Sequence, residues 1–289
     1  MNNRIRGYQV WQRSYPSTFV ILLAACIGFG PGVWAQENVL KVGGTGTTLG
    51  TMQLLGIAFE QANPGASVNV LASLGSAGGI RAAVGGAIDI GLSARPLTDN
   101  EVRQGAVALE YGRSPLALTV SRSLAVTGIT TAQLIDVYAG KTDRWPDGTL
   151  IRLIGRPATE VSTILLKMVS PQMSDAVTAA GKRPGMLFAL TDQETTESIG
   201  KIPGSIGVTA LCELITANPQ LKALALDGVT PSPATIADGS YPVYYRLYLV
   251  TGAKPDARAE RFIAFVQSEA GKRILTDTGH WVSSQTGSR

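Results

Sequence analysis

The sequence predicts an α/β chain with largely parallel sheets. Short β-type runs alternate with helix-spaced apolar runs from Val39 to Ser268. Glycine-rich turns stand where a strand hands over to a helix, first at Val42-Gly-Gly-Thr-Gly-Thr-Thr-Leu-Gly50 and again at Gly75-Ser-Ala-Gly-Gly79. Capping signals open several of the helical runs, Thr98-Asp-Asn-Glu101 most clearly. The 289 residues suffice for one large or two medium domains, and 45% hydrophobic with 16% charged residues describes a globular chain.

The first 35 residues read as a secretory signal. They carry Arg4, Arg6 and Arg13 and no acid, then an apolar core Phe19–Phe29, a Gly30-Pro31-Gly32 break and Val33-Trp34-Ala35. Cleavage is expected after Ala35, leaving a periplasmic or secreted protein; the apolar run is short for a membrane span. Leu23-Ala24-Ala25-Cys26 offers a competing reading, a lipobox that places a lipid anchor on Cys26. Without the three leader arginines, 22 of the 25 basic residues face 21 acidic ones, so the net charge of +4 does not argue for nucleic acid. Cys212 sits in the apolar run Ile206–Ile215, where a buried inert thiol is expected.

Val39–Val42 is the first strand, and Leu49, Met52, Leu55 and Phe59 give the inward face of the helix after it. The turn between them can aim free N–H groups at an anion, with Gly44 and Gly46 allowing close approach and Thr45, Thr47 and Thr48 adding hydroxyls at the N-cap. The plain alternative is a glycine turn for tight strand–helix packing. Further strands are expected at Val68–Leu71, Ile88–Leu92, Leu116–Val120, Leu150–Ile154, Ser205–Val208 and Tyr244–Val250. Further helices are expected at Ile80–Val84, from Thr98, at Thr131–Tyr138, Val161–Val169 and Ala257–Ser268.

Five stretches together resemble the periplasmic phosphate-binding proteins of ABC transporters, within the type 2 solute-binding superfamily. They are the opening glycine turn; Gly75–Gly79 with Ala87-Ile-Asp-Ile-Gly-Leu-Ser-Ala-Arg-Pro-Leu97; Ile129–Trp145; Ile202-Pro-Gly-Ser-Ile-Gly-Val208; and Phe262–Phe265 with Glu269-Ala-Gly-Lys272 and Thr278-Gly279. The resemblance implies two α/β lobes joined by two crossovers, with ligand in the interlobe cleft. Lobe 1 would hold residues 36–117 plus 243–289, and lobe 2 residues 118–242. It implies capture of phosphate or a related small anion for an ABC permease, by a monomer without cofactor. A sensing module acting on a membrane receptor or kinase is the alternative.

Position by position, the resemblance assigns ligand contacts to Thr47, Thr48 and the Leu49 amide, to Ser76, to Ser93 and Arg95, and to Arg156, Thr159 and Ser162. Two positions depart from the pattern. Ala94 stands where the family carries an Asp, and Arg95 is offered as a bidentate grip instead; otherwise Arg95 is a salt-bridge residue. Glu160 and Val161 break the Ser-Gly-Thr after Arg156. Pointing into the cleft at about 4 Å, Glu160 would oppose a bound anion by about 4 kcal/mol at an effective dielectric near 20. Turned outward it caps a helix; a ligand with a cationic group is the other outcome.

His280 is the only histidine, so a His/Cys metal cluster is not expected. It is read as packing or surface. No nucleophile elbow or carboxylate pair stands out, and no enzyme is predicted.

Overall fold

The computed structural model describes residues 39–283. The expected signal, its cleavage point after Ala35 and Cys26 lie outside the described residues. Strand β1 (Val39–Gly44) runs into a 3₁₀ turn, Gly46–Thr48. Helix α1 (Leu49–Ala62) buries Leu49, Met52, Leu55 and Phe59, as their spacing predicts. Next come β2 (Ser67–Val70), α2 (Gly75–Val84), the wholly buried β3 (Ile90–Ser93) and α3 (Asp99–Arg103), opened by the Thr98/Glu101 capping box. Strand β4 (Val107–Ser121) is followed by β5 (Gly128–Ile129) and α4 (Thr131–Ala139), which stops on left-handed Gly140. The middle of the chain holds β6 (Arg152–Gly155), α5 (Val161–Lys167), α6 (Pro171–Ala180), β7 (Leu187–Phe188), α7 (Asp192–Lys201) and β8 (Ser205–Ala210). It continues through α8 (Leu211–Ala217), β9 (Leu221–Ala223), β10 (Ala225–Leu226) and α9 (Pro233–Ala237). The last elements are β11 (Tyr244–Thr251), α10 (Ala257–Gln267) and α11 (Glu269–Asp277).

The main sheet runs β2-β1-β3-β11-β4-β8-β6-β7, with β9 also on β4. It is mixed, which corrects the expectation of largely parallel sheets. The flanks are parallel, β2 and β3 on β1 and β7 and β8 on β6. The centre is antiparallel, β11 on β3 and β4, and β8 and β9 on β4. The chain leaves the first half along β4 and returns along β11, so these two strands must run opposite ways.

This gives the two-lobe architecture its two crossings. Strand β4 pairs with β11 as far as Pro115, opposite Tyr244, and with β8 from Leu116, opposite Ala210. At that handover the Leu116 N–H donates to Val243 O at 3.0 Å, and Tyr241 OH donates to Leu116 O at 2.7 Å. The crossings are therefore bonded side by side.

The stretch Gly75–Gly79 is the first turn of α2 and not a separate turn before it. Gly79 serves packing, whereas Gly75 has φ +67° with open space at its Cβ position. A methyl group on Gly79 would lie 2.6 Å from the Gly44 Cα, so α2 rests directly on β1.

Candidate functional site

The 3₁₀ turn that joins β1 to α1 is buried at all three residues. Thr45 and Thr48 stand at the N-cap positions of the 3₁₀ turn and of α1, as expected, but neither hydroxyl makes a capping hydrogen bond. The tight turn satisfies donors through the backbone, the Leu49 N–H reaching Gly46 O. The hydroxyls are left to other work. Thr45 Oγ1 donates to Thr47 Oγ1 at 2.9 Å, and Thr48 Oγ1 is buried without a partner within hydrogen-bond distance among the described residues.

Two helices from the middle of the chain press on this turn. Gln193 Nε2 at the start of α7 donates to Gly46 O at 3.0 Å. Cys212 Sγ in α8 donates to Thr47 O at 3.4 Å. A Cβ on Gly46 would stand 2.7 Å from Asp192 Oδ2, and one on Gly50 would stand 2.4 Å from Thr216 Oγ1. Glycine at these positions lets the two halves close on each other.

Asp192 links the turn to Arg156. The Thr47 side chain faces its carboxylate and favours the charged form, and its Oδ1 lies 3.6 Å from Arg156 Nη2. Arg156, just past the end of β6, is buried; Nη1 donates to Ala189 O at 3.3 Å, Nη2 donates to Glu160 Oε2 at 3.2 Å, and Nε has no partner among the described residues. Glu160 occupies the N-cap position of α5, but its side chain bonds Arg156 and not the helix amides. Burial raises the Asp192 carboxyl, outweighing the attraction of Arg156.

Glu213 in α8 completes the buried charge. Both its carboxylate oxygens lack partners among the described residues, and burial pushes it well above the usual carboxylate range. The Tyr245 hydroxyl is also buried with no partner at hydrogen-bond distance, and the buried Tyr111 hydroxyl faces the Thr48 side chain. Each such group costs about 1–3 kcal/mol when unmet.

The structure thus gathers Thr47, Thr48 and Arg156 of the predicted contacts around one centre, with Leu49 beside them but its amide already donated to Gly46 O, and buries Ser162 nearby at the start of α5 with its Oγ unpartnered. Ser76 and Ser93 sit together at a second place. Ser76 Oγ accepts from Ala94 N at 3.0 Å, and Ser93 Oγ donates to Arg95 O at 2.7 Å. Arg95 is engaged elsewhere, both terminal nitrogens on the Glu101 carboxylate at 2.9 and 2.7 Å. That pairing holds Glu101 down to about 2. Thr159 is exposed on the loop before α5. Asp192, Glu213 and Tyr245 were not legible as site residues, although Glu213 carries a signal: a carboxylate inside the apolar run Ile206–Ile215. Cys212 is a buried thiol pushed up to about 12 by burial, too high for a nucleophile.

Among the described residues no group of three or more His, Cys, Asp or Glu is placed to hold a metal ion. No helix among them is long and apolar enough to cross a membrane.

The fold and the sequence have known relatives. The phosphate-binding protein PstS of Borreliella burgdorferi is 25% identical over 252 residues, covering 84% of this chain and 90% of its own. PstS of Bacillus subtilis is 25% identical over 297 residues, covering 91% of this chain and 90% of its own. Among solved structures, a Clostridium perfringens protein assigned to phosphate ABC transport as a substrate-binding protein, with phosphate bound, superposes with a TM-score of 0.70 at 20% identity, covering 85% of this chain and all of that one. Residues 34–270 match the family described as the PBP superfamily domain, and the chain belongs to that superfamily.

Proposed function

We propose that this protein is the extracytoplasmic solute-binding component of an ABC importer, a binding protein and not an enzyme, and that it captures phosphate or a related small oxyanion. The observation that carries the proposal is the buried Arg156 guanidinium. It lies in one half of the molecule and is tied through Asp192 to the Thr47–Thr48 turn of the other. An arginine held in low dielectric is suited to an oxyanion, and the turn and the α5 start contribute hydroxyls of Thr48 and Ser162. The named function of the PstS relatives supports the same ligand class. We assign residues 36–117 and 243–289 to one lobe and 118–242 to the other, with the ABC permease as the partner of the closed form.

Glu160 sets the condition on this function. It shares Arg156 with Asp192, so an incoming anion competes with two carboxylates for one guanidinium. Burial raises the Asp192 carboxyl, the direction that weakens one of these two competitors.

Titration calorimetry of the purified protein with inorganic phosphate, after unfolding and refolding to remove carried ligand, tests the reading. Micromolar binding is expected in the wild type. Arg156→Gln is expected to weaken it about 100-fold, the scale of one lost charge-assisted contact of 2–3 kcal/mol. Wild-type protein that gives no heat with millimolar phosphate, arsenate or sulfate would overturn the oxyanion reading.

A further inference from the structure

Glu160 takes neither of the plain roles open to a carboxylate at the start of a helix. Its side chain does not cap α5, and it does not turn away from the candidate site. Oε2 accepts from Arg156 Nη2 at 3.2 Å, and Oε1 has no hydrogen-bond partner among the described residues. The Arg156 side chain is 4% exposed and that of Glu160 is 35% exposed, so the pair stands at the edge of the buried centre, with the arginine inside and the carboxylate outside. Asp192 approaches the same Nη2 at 3.6 Å, but its side chain is buried. Glu160 is thus the acid at Arg156 that a ligand can reach from solvent.

Arg156 also lines, with Ala158 and Ser162, a cavity of about 310 Å³ whose other charged residues are Lys167 and Lys182. No acid lines that cavity, so the carboxylates a ligand meets at Arg156 are those of Glu160 and Asp192.

The charge balance around the guanidinium decides what suits it. With inorganic phosphate, two carboxylates and the ligand's own negative charge share one cation, and a Glu160 carboxylate displaced from Nη2 is left beside a like charge. A ligand that brings a cation of its own removes the conflict. Its oxyanion takes Arg156, where Nε and the neighbouring Ser162 Oγ are still without partners, and its cation takes the Glu160 carboxylate. Each charge then keeps an opposite partner.

We propose that the site takes a zwitterionic oxyanion, an aminoalkylphosphonate with its ammonium one or two carbons from the phosphorus, in preference to inorganic phosphate. The proposal rests on the oxyanion reading above and names the substrate class within it. Arg156 holds the phosphonate and Glu160 the ammonium. The short spacing follows from the site, because the two protein groups that divide the ligand between them touch each other.

Calorimetric titrations with aminomethylphosphonate, ethylphosphonate and inorganic phosphate, on one refolded preparation, test it. The two phosphonates share a skeleton and differ by an ammonium in place of a methyl group. At a pH above the second ionisation of both head groups and below that of the ammonium, their difference reads the added cation alone. Aminomethylphosphonate is expected to bind at least about tenfold more tightly than either of the others. Glu160→Gln keeps the shape and removes the charge. It is expected to bring the two phosphonates within about twofold of each other and to strengthen phosphate binding, since phosphate loses a competitor. Glu160→Ala makes the same test if Glu160→Gln does not fold. Ethylphosphonate or phosphate binding as tightly as aminomethylphosphonate in the wild type would overturn the zwitterion assignment and leave the oxyanion reading standing. A preference for aminomethylphosphonate that survives both Glu160 variants would also overturn it. Binding of none of the three would remove the oxyanion reading, and the zwitterion assignment with it.

Discussion

His280 is fully buried, its Nδ1 3.2 Å from Thr278 Oγ1 and 3.1 Å from Leu275 O, and its ring tilted against Tyr111. The sequence allowed packing or surface for this lone histidine; what decides between them is α11 and β4 closing over it, which no local pattern announces. Burial lowers its pKa from 6.5 to about 4. The unfolded chain therefore binds the extra proton between pH 6.5 and 4, and the folded chain does not. This contribution is fully present above pH 6.5 and is lost as the pH falls to 4, with a ceiling of about 3 kcal/mol. Glu213 works the other way, since a raised carboxyl costs stability as the pH rises above its usual range. Comparison of variants separates the two. In urea melts from pH 7 to 4, His280→Phe is expected to lose less stability than the wild type. Parallel curves would show that His280 titrates normally in the fold. The same residue scale explains why Arg95, read as an anion grip or a salt-bridge residue, takes the second role: its bidentate partner, Glu101, lies six residues on, in a capping box that was itself legible.

At the level of elements, the strand, turn and helix around Gly43–Gly50 were legible, and the reason for the glycines was not. The sequence left a ligand cradle and tight packing both open. The structure answers with a neighbour for each: Leu92 O for Gly44, Asp192 for Gly46, Thr216 for Gly50. These contacts come from β3, α7 and α8, far along the chain, so periodicity could not show them. Gly44 is the most constrained, with φ +152° and a Cβ position 2.1 Å from the Leu92 carbonyl oxygen. That neighbour is backbone and cannot swing aside. Gly44→Ala is expected to cost more than about 3 kcal/mol in chemical denaturation, or to prevent folding. Gly65 has φ +86° with open space around it, so Gly65→Ala is expected to cost only about 1 kcal/mol, from backbone strain alone. Equal losses for the two would show that φ, and not the approach of β3, sets the requirement. The sheet order escaped the sequence for a related reason. Alternation of strand and helix fixes the succession of elements along the chain, whereas the antiparallel centre depends on β11 returning from the far end of the chain between β3 and β4.

At the scale of the whole molecule, the two halves share strands. Strand β4 pairs with β11 in one half and with β8 and β9 in the other, and the crossings are bonded through Leu116, Val243 and Tyr241. Neither half can unfold without stripping partners from β4. The Arg156–Asp192–Thr47 chain spans the same boundary, so a ligand bound there stabilises both halves together. Mass action gives about 2.7 kcal/mol at a ligand concentration 100 times Kd. For a chain of this size that is a rise in Tm of about 5–10 °C. Scanning calorimetry with phosphate at that excess is expected to show one transition that moves as a whole. Arg156→Gln should keep the single transition and lose the shift. Two transitions, with only one displaced by ligand, would mean that the halves melt independently and that the anion is held by one of them. The single displaced transition is a consequence of topology: the strand that joins the lobes is also the strand each lobe is built on, so whatever closes the cleft is felt through the entire sheet.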